Sequence, residues 1–220
     1  MVPSFEIEHI DSSWLVNITS YNKLKKSLFF YELFKEYEFV LTYELDAWVF
    51  RDELLFWCNK GYDYIGAPWF KGWAQGGNPE VIGVGNSGFS LRNTAKSITC
   101  IERIEKLRRV RSFWFSSKLQ ALWRFNNMII FFGSMLKLRS GKYLDDLLLG
   151  DIHNEDHYWG EYVSHTFSDY KVASIDDAIR FSFEVNPSIL YNINNCQLPF
   201  GCHGWEKYDQ EFWANFIEVK

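Results

Sequence analysis

The stretch that most narrows what this chain can become is Phe39-Val40-Leu41-Thr42-Tyr43-Glu44-Leu45-Asp46-Ala47-Trp48-Val49-Phe50. A run of β-branched and aromatic residues ends in Glu44, a spacer and Asp46, and apolar residues resume at once. A bounded apolar run of this length predicts a buried strand. Carboxylates just past the end of a strand lie where open α/β sheets bind their ligands. Two acids in apolar surroundings need a neutralising partner. A divalent cation carrying a phosphorylated ligand supplies one, since such ions take one or two protein carboxylates and fill the shell with phosphate and water. The other reading is a strand end whose acids pair with Arg51 or with a helix N-terminus.

The rest of the chain gives that strand a setting. Upstream, residues 5–18 alternate as a strand and loop do. Ser20 then predicts an N-cap for one helix from Tyr21 to about Tyr37, with Leu24, Leu28, Tyr31 and Phe34 inward and Lys23, Lys26 and Lys35 in water. Downstream, Asp52 predicts the cap of a short helix over 53–60 that Gly61 stops. Tyr62 to Trp69 reads as a second strand running into a proline turn, and 70–80 as a loop. Gly83-Val84-Gly85-Asn86-Ser87-Gly88 is a glycine-rich turn able to approach a ligand closely. A hairpin turn without a ligand has the same composition, and neither the P-loop nor the dinucleotide spacing is present. Phe89–Arg92 predicts a strand, and Asn93 the cap of a long helix to about Arg109.

Charge is unevenly spread. The 220 residues carry a net −5, yet 96–142 holds eleven Lys/Arg against two Glu, a local +9, so the remainder carries −14. This basic segment also holds Trp114, Phe115, Trp123, Phe125 and Met128–Phe132. It reads as a helical insertion packed on the domain, or as a surface for an anionic membrane. The acidic remainder argues against nucleic acid. Cys58, Cys100, Cys196 and Cys202 are dispersed, which fits a reducing compartment and no thiolate zinc site. No apolar run approaches the ~20 residues of a membrane span, and the first residues lack the basic and apolar regions of a signal peptide. Cytoplasmic placement is therefore expected, with peripheral contact at the inner face of the membrane through 96–142. Aromatic residues reach 19% of the chain, which suits both core packing and stacking on sugars or bases.

Two further stretches carry chemistry. In Asn154-Glu155-Asp156-His157 an acid could serve as general base. Neighbours on a helix do not share a face, so one of Glu155 and Asp156 is expected to face the site while the other caps or pairs. In Pro199-Phe200-Gly201-Cys202-His203-Gly204-Trp205 a histidine between glycines could complete a metal shell with carboxylate and phosphate donors, or be a satisfied structural histidine.

Taken together, Glu44–Leu54, Gly61–Trp69, Gly85–Arg92, Asn154–Asp156 and Pro199–Trp205 resemble, in order, the successive blocks of the DUF5672 family across roughly residues 20–207. These are uncharacterised, predicted glycosyltransferases often found among bacterial polysaccharide-synthesis genes. The resemblance implies an α/β, glycosyltransferase A-like fold, a mixed sheet flanked by helices in a single domain over 1–220, with 96–142 inserted. It implies a nucleotide-sugar donor such as a UDP-sugar, a divalent metal (Mn²⁺ or Mg²⁺), and a glycan or lipid-linked acceptor. Glu44 and Asp46 match the acidic DxD-type motif, whose last aspartate binds the metal. Gly85, Asn86, Ser87 and Gly88 match the segment bordering donor sugar and acceptor. Asp156, with Glu155 as alternative, matches the acid that serves as base in inverting enzymes. His203 matches a late metal-binding histidine. In that fold a β-α-β unit usually precedes the helix before the acidic strand and binds base and ribose. The residues ahead of Tyr21 are too few for it, so part of that nucleotide-binding unit is expected to be missing. Two other functions share these residues: a catalytically silent carbohydrate-binding or scaffold protein, and a metal-dependent hydrolase of nucleotide sugars or phosphoesters.

Overall fold

The computed structural model describes residues 6–72, 80–116, 141–150, 152 and 154–218. Its strands form small sheets flanked by helices, a mixed α/β architecture. Among the described residues there are three sheets where one mixed sheet was expected. The first has β1 (Phe39–Tyr43) and β3 (Tyr64–Ile65) on either side of β6 (Phe89–Asn93), all antiparallel. The second orders β2 (Ala47–Val49), β8 (Gly201–His203) and β7 (Ser182–Phe183), with β7 parallel to β8. The third is a hairpin of β4 (Ala67–Phe70) and β5 (Val81–Gly85). Gly66 is where the chain passes from β3 to β4, and a Cβ there would fall 1.7 Å from the Gly85 carbonyl oxygen, so only glycine fits.

The strand over 39–43 forms as its composition predicts, pairing from Phe39↔Asn93 to Tyr43↔Phe89. The preceding helix does not run unbroken. It splits into α1 (Ile18–Leu24) and α2 (Leu28–Leu33). Ser27 causes the break: its hydroxyl donates to Leu24 O at 2.7 Å and accepts from Phe30 N at 3.1 Å, closing one helix and capping the next. Asn17, not Ser20, caps α1, and it does so by accepting from Ser20 N at 2.9 Å. Lys26, expected in water, turns inward to the Ile152 carbonyl. The short helix α3 (Leu54–Cys58) starts at Glu53 without a side-chain cap, so Asp52 does not play that role, while Gly61 with φ 75° ends the segment as predicted. Val81–Gly85 is a strand that the glycine content concealed.

Three apolar clusters hold these pieces. Tyr31, Tyr64, Cys100, Ile101, Ile104 and Trp159 form one, joining α2, β3, the long helix α4 (Thr94–Ser116) and the helical run 155–166. Phe89, Phe181 and Phe200 centre the second, and Phe183, Leu190, Cys202 and Trp213 the third. The start of the basic segment belongs to the fold. Asn93 caps α4, accepting from Lys96 N at 2.9 Å, and Lys96 and Arg103 reach Asp169 at 3.3 and 2.9 Å. The aromatic part of that segment, Trp123 to Phe132, lies outside the described residues. All four cysteines are free thiols. No helix among the described residues is long and apolar enough to cross a membrane.

Candidate metal centre

Sheet register alone brings the site together. Ala47 lies opposite His203 in the β2–β8 pair, so Asp46 sits one step off the end of β2 beside the imidazole. Gly204 N donates to Asp46 O at 3.0 Å and fixes that approach. Phe183 lies opposite Cys202 in the parallel β7–β8 pair, which carries Glu184 to the level of His203. Glu44 leaves β1 with its N–H bonded to Gly88 O at 2.9 Å, and its own carbonyl accepts from Ala47 N at 2.9 Å, a tight turn over Leu45.

The side chains converge accordingly. His203 Nε2 lies 3.1 Å from Asp46 Oδ1 and 3.5 Å from Glu44 Oε2, and Nδ1 lies 3.0 Å from Glu184 Oε1. One donor atom each from Glu44, Asp46 and His203 falls within a sphere where no two are more than 4.8 Å apart. Two hard oxygens and an imidazole are a donor set that accepts a divalent cation, so the residues fit the metal that the acidic strand end suggested. Glu184, bonded to the far ring nitrogen, would fix the tautomer and leave Nε2 to the ion. Burial opposes a charge on His203, but hydrogen bonds to Glu184 and Glu44 and the nearby carboxylates outweigh it, and the pKa rises to about 9. The His203 bond draws the Glu44 carboxyl down to about 2 against the effect of burial, with Lys25 helping.

Behind Glu44 lies a second cluster. Lys25, 1% exposed at the break between α1 and α2, donates to Ser87 O at 2.6 Å, Ser87 Oγ at 2.7 Å and Glu44 Oε1 at 3.2 Å. Tyr21 Oη donates to the same Glu44 oxygen at 3.0 Å. Oε1 is thus engaged, and Oε2 is the oxygen turned to His203. Glu155 lies within this cluster, fully buried, 2.8 Å from Arg92 Nη2 and 3.5 Å from Lys25 Nζ. Burial raises its pKa, but the two cations prevail and hold it low. Of the two adjacent acids, Glu155 is therefore the one that pairs. Among the described residues Asp156 forms no ion pair. Its Oδ1 accepts from His157 N at 2.9 Å, and burial, the Glu155 charge and more distantly Glu184 push its pKa up.

The glycine segment makes room for rings. A Cβ on Gly88 would lie 2.0 Å from His203 Nε2, and one on Gly85 would lie 1.8 Å from the Trp69 ring. Trp69 stacks on His157 with centroids 4.4 Å apart. Asn86, at φ 88°, folds the turn by accepting from Gly88 N at 2.7 Å and Phe89 N at 3.1 Å, while its buried Nδ2 has no hydrogen-bond partner among the described residues. Ser87 faces Lys25. Trp205 follows the Gly204 turn (φ 66°) and lines a cleft of about 690 Å³ whose lining includes no triad residue.

Lys25, Tyr21, Arg92 and Glu184 were not singled out from the sequence. For Glu184 a signal existed, since an apolar Phe-Ser-Phe run ends in it much as Phe39–Tyr43 ends in Glu44. For Lys25 none did, because its inward turn depends on the helix break.

No curated protein and no solved structure matches this chain. The family model that does match spans residues 4–203, nearly the whole chain and all of the site, and places this protein in DUF5672, a family of proteins of unknown function.

Proposed function

We propose that this protein is a divalent-metal-dependent glycosyltransferase of glycosyltransferase A-like fold, acting on a nucleotide sugar such as a UDP-sugar and on a hydroxyl of a glycan or lipid-linked acceptor. The observation that carries the reading is the convergence of Glu44 and Asp46, from the turn between β1 and β2, with His203 from β8, and with Glu184 behind the imidazole. Asp46 and His203 would hold the ion with Glu44 completing the protein's share, and the imidazole favours Mn²⁺ over Mg²⁺. When bound, the ion supplies charge neutralisation to the departing diphosphate.

The chain's own residues do the rest. Asp156, a carboxyl whose basicity is raised by burial and by Glu155, accepts the proton of the acceptor hydroxyl as that oxygen bonds to the anomeric carbon. The bond from that carbon to the diphosphate oxygen breaks in the same displacement, giving inversion and releasing the nucleoside diphosphate. Lys25 and Tyr21 fix the rotamer of Glu44, and Glu184 fixes the ring of His203. If the acceptor is lipid-linked, the basic segment 96–142 would hold the enzyme at an anionic leaflet on the cytoplasmic side.

The test is release of UDP from UDP-glucose, UDP-galactose and UDP-N-acetylglucosamine with Mn²⁺, with and without bacterial glycan acceptors. Acceptor-dependent release that falls roughly 10²–10⁴-fold in Asp156→Asn supports transfer. Release at one rate with or without acceptor would replace transferase by hydrolase. No nucleotide binding at all would leave a silent carbohydrate-binding or scaffold protein.

A further inference from the structure

Beyond residue 203, where the family match ends, the chain builds a cleft of its own. It has a volume of about 690 Å³ and is walled by Trp205, Trp213 and Ile217, with Glu206 and Glu218 exposed at its rim. That volume lies within the ~300–1,000 Å³ range of small-molecule sites. Among the described residues, the Nε1–H groups of Trp205 and Trp213 are both buried and without a hydrogen-bond partner. A buried indole N–H normally finds an acceptor, and leaving one unmade is destabilising. Phe50 stacks on Trp213 with centroids 5.8 Å apart and 10° between planes, so that wall is held rigidly from behind. Trp205 is only half-buried and has room to adjust.

We propose that this cleft is a saccharide-binding site. A pyranose ring offers an apolar C–H face for the half-buried Trp205, an oxygen that accepts from its indole N–H once that ring shifts, and hydroxyls that donate to the rim carboxylates; Trp213, 1% exposed, backs the site. Other ligand classes use only part of this set. A cation would be served by the acids and ring faces but not by N–H donors. An acyl chain would leave the acids and the indoles unanswered. A phosphate would be repelled by Glu206 and Glu218. Only Gly204 separates Trp205 from His203, so a glycan seated here lies close in sequence to the triad. Its role as the acceptor rests on the transferase reading; its binding does not.

The experiment follows the indole N–H resonances of the full chain during titration with cellotetraose, maltotetraose, chitotetraose and xylotetraose, in EDTA throughout. Saturable shifts of the Trp205 and Trp213 signals with at least one of these are expected. They should persist in Asp46→Ala, which separates this site from the metal centre. Trp205→Ala should weaken binding roughly tenfold, and Glu206→Gln, an exposed change that leaves the fold intact, several-fold. Three results would each overturn the inference: no saturable shift with any of the four sugars, equal shifts with tetramethylammonium, or unchanged affinity in both cleft variants.

Discussion

Two charged clusters meet at Glu44, and they use the same residue types to opposite ends. In the inner one, Lys25, Arg92 and Glu155 are all within 1% of complete burial, and each charge touches its opposite. In the outer one, Glu44, Asp46 and Glu184 surround one imidazole, with side chains 13–37% exposed. The inner cluster is closed in charge, though Glu155 Oε2 is buried without a hydrogen-bond partner among the described residues: Arg92 and Lys25 both answer Glu155 through Oε1, and Lys25 also reaches Glu44. The outer cluster carries more negative charge than His203 can answer even when protonated. Closure marks a structural network, in which removal of one member strands a buried charge. An accessible surplus of carboxylate is what the proposed cation would answer. Lys25 and Tyr21 join the two, so that the rigid cluster sets the geometry of the open one.

The largest way to break this contrast is at Glu155. Glu155→Ala leaves Arg92 buried without its carboxylate, and a loss of roughly 3–5 kcal/mol in unfolding free energy is expected by denaturant titration. Asp46→Ala should change stability by less than about 1 kcal/mol, since its carboxylate is partly solvated. Comparable losses in the two variants would erase the distinction between the clusters.

The next effect is on metal affinity. Glu184→Gln keeps the size of the side chain but weakens its hold on His203 Nδ1. Mn²⁺ affinity is expected to fall about 10–100-fold, as for other partners behind a ligating histidine. An unchanged affinity would mean that Glu184 only fills space. Gly88→Ala should weaken Mn²⁺ binding as well, because the new methyl would occupy the place of His203 Nε2. Circular dichroism of this variant should stay close to wild type.

A pH series sharpens the comparison further. The pKa of His203 is raised to about 9, so its ion pairs stabilise the metal-free protein fully below the ordinary imidazole value and are lost as pH rises through 9. Glu44 has its pKa lowered to about 2, so its contribution is present above the ordinary carboxylate value and is lost as pH falls toward 2. A bound ion needs the neutral imidazole. At neutral pH about one proton should therefore be released per Mn²⁺ bound, and affinity should climb roughly tenfold per pH unit up to about 9. Calorimetry in buffers of different ionisation enthalpy reads the proton count, and a value near zero would remove His203 from the ligand set.

How much of this was legible in the sequence follows from locality. The strand 39–43 and its acidic end could be read because an apolar run has a sharp local pattern. Asp46 and His203 stood out by residue type in unusual surroundings. The Ser27 break was hidden because apolar periodicity continues across it, and a cap competes with propagation only through bonds to Leu24 and Phe30. The inward Lys25 was hidden for the same reason. The strand Val81–Gly85 was hidden because its glycines are set by the Trp69 ring lying against it, a contact that no local pattern reveals. Which of Glu155 and Asp156 faces the site depended on Arg92, some sixty residues away in the chain. The three-sheet division is likewise a matter of long-range pairing, since β7 and β8 are short and meet only in the folded chain.

The most direct test of the proposed metal centre is calorimetric titration of UDP into the folded protein with Mn²⁺, with EDTA, and in Asp46→Ala with Mn²⁺. Binding with Mn²⁺ that disappears in EDTA and in Asp46→Ala is the expected result. Binding of equal strength in all three, or no binding of UDP, GDP or CMP in any, would contradict the assignment of Glu44, Asp46 and His203 as a metal site for a nucleotide diphosphate.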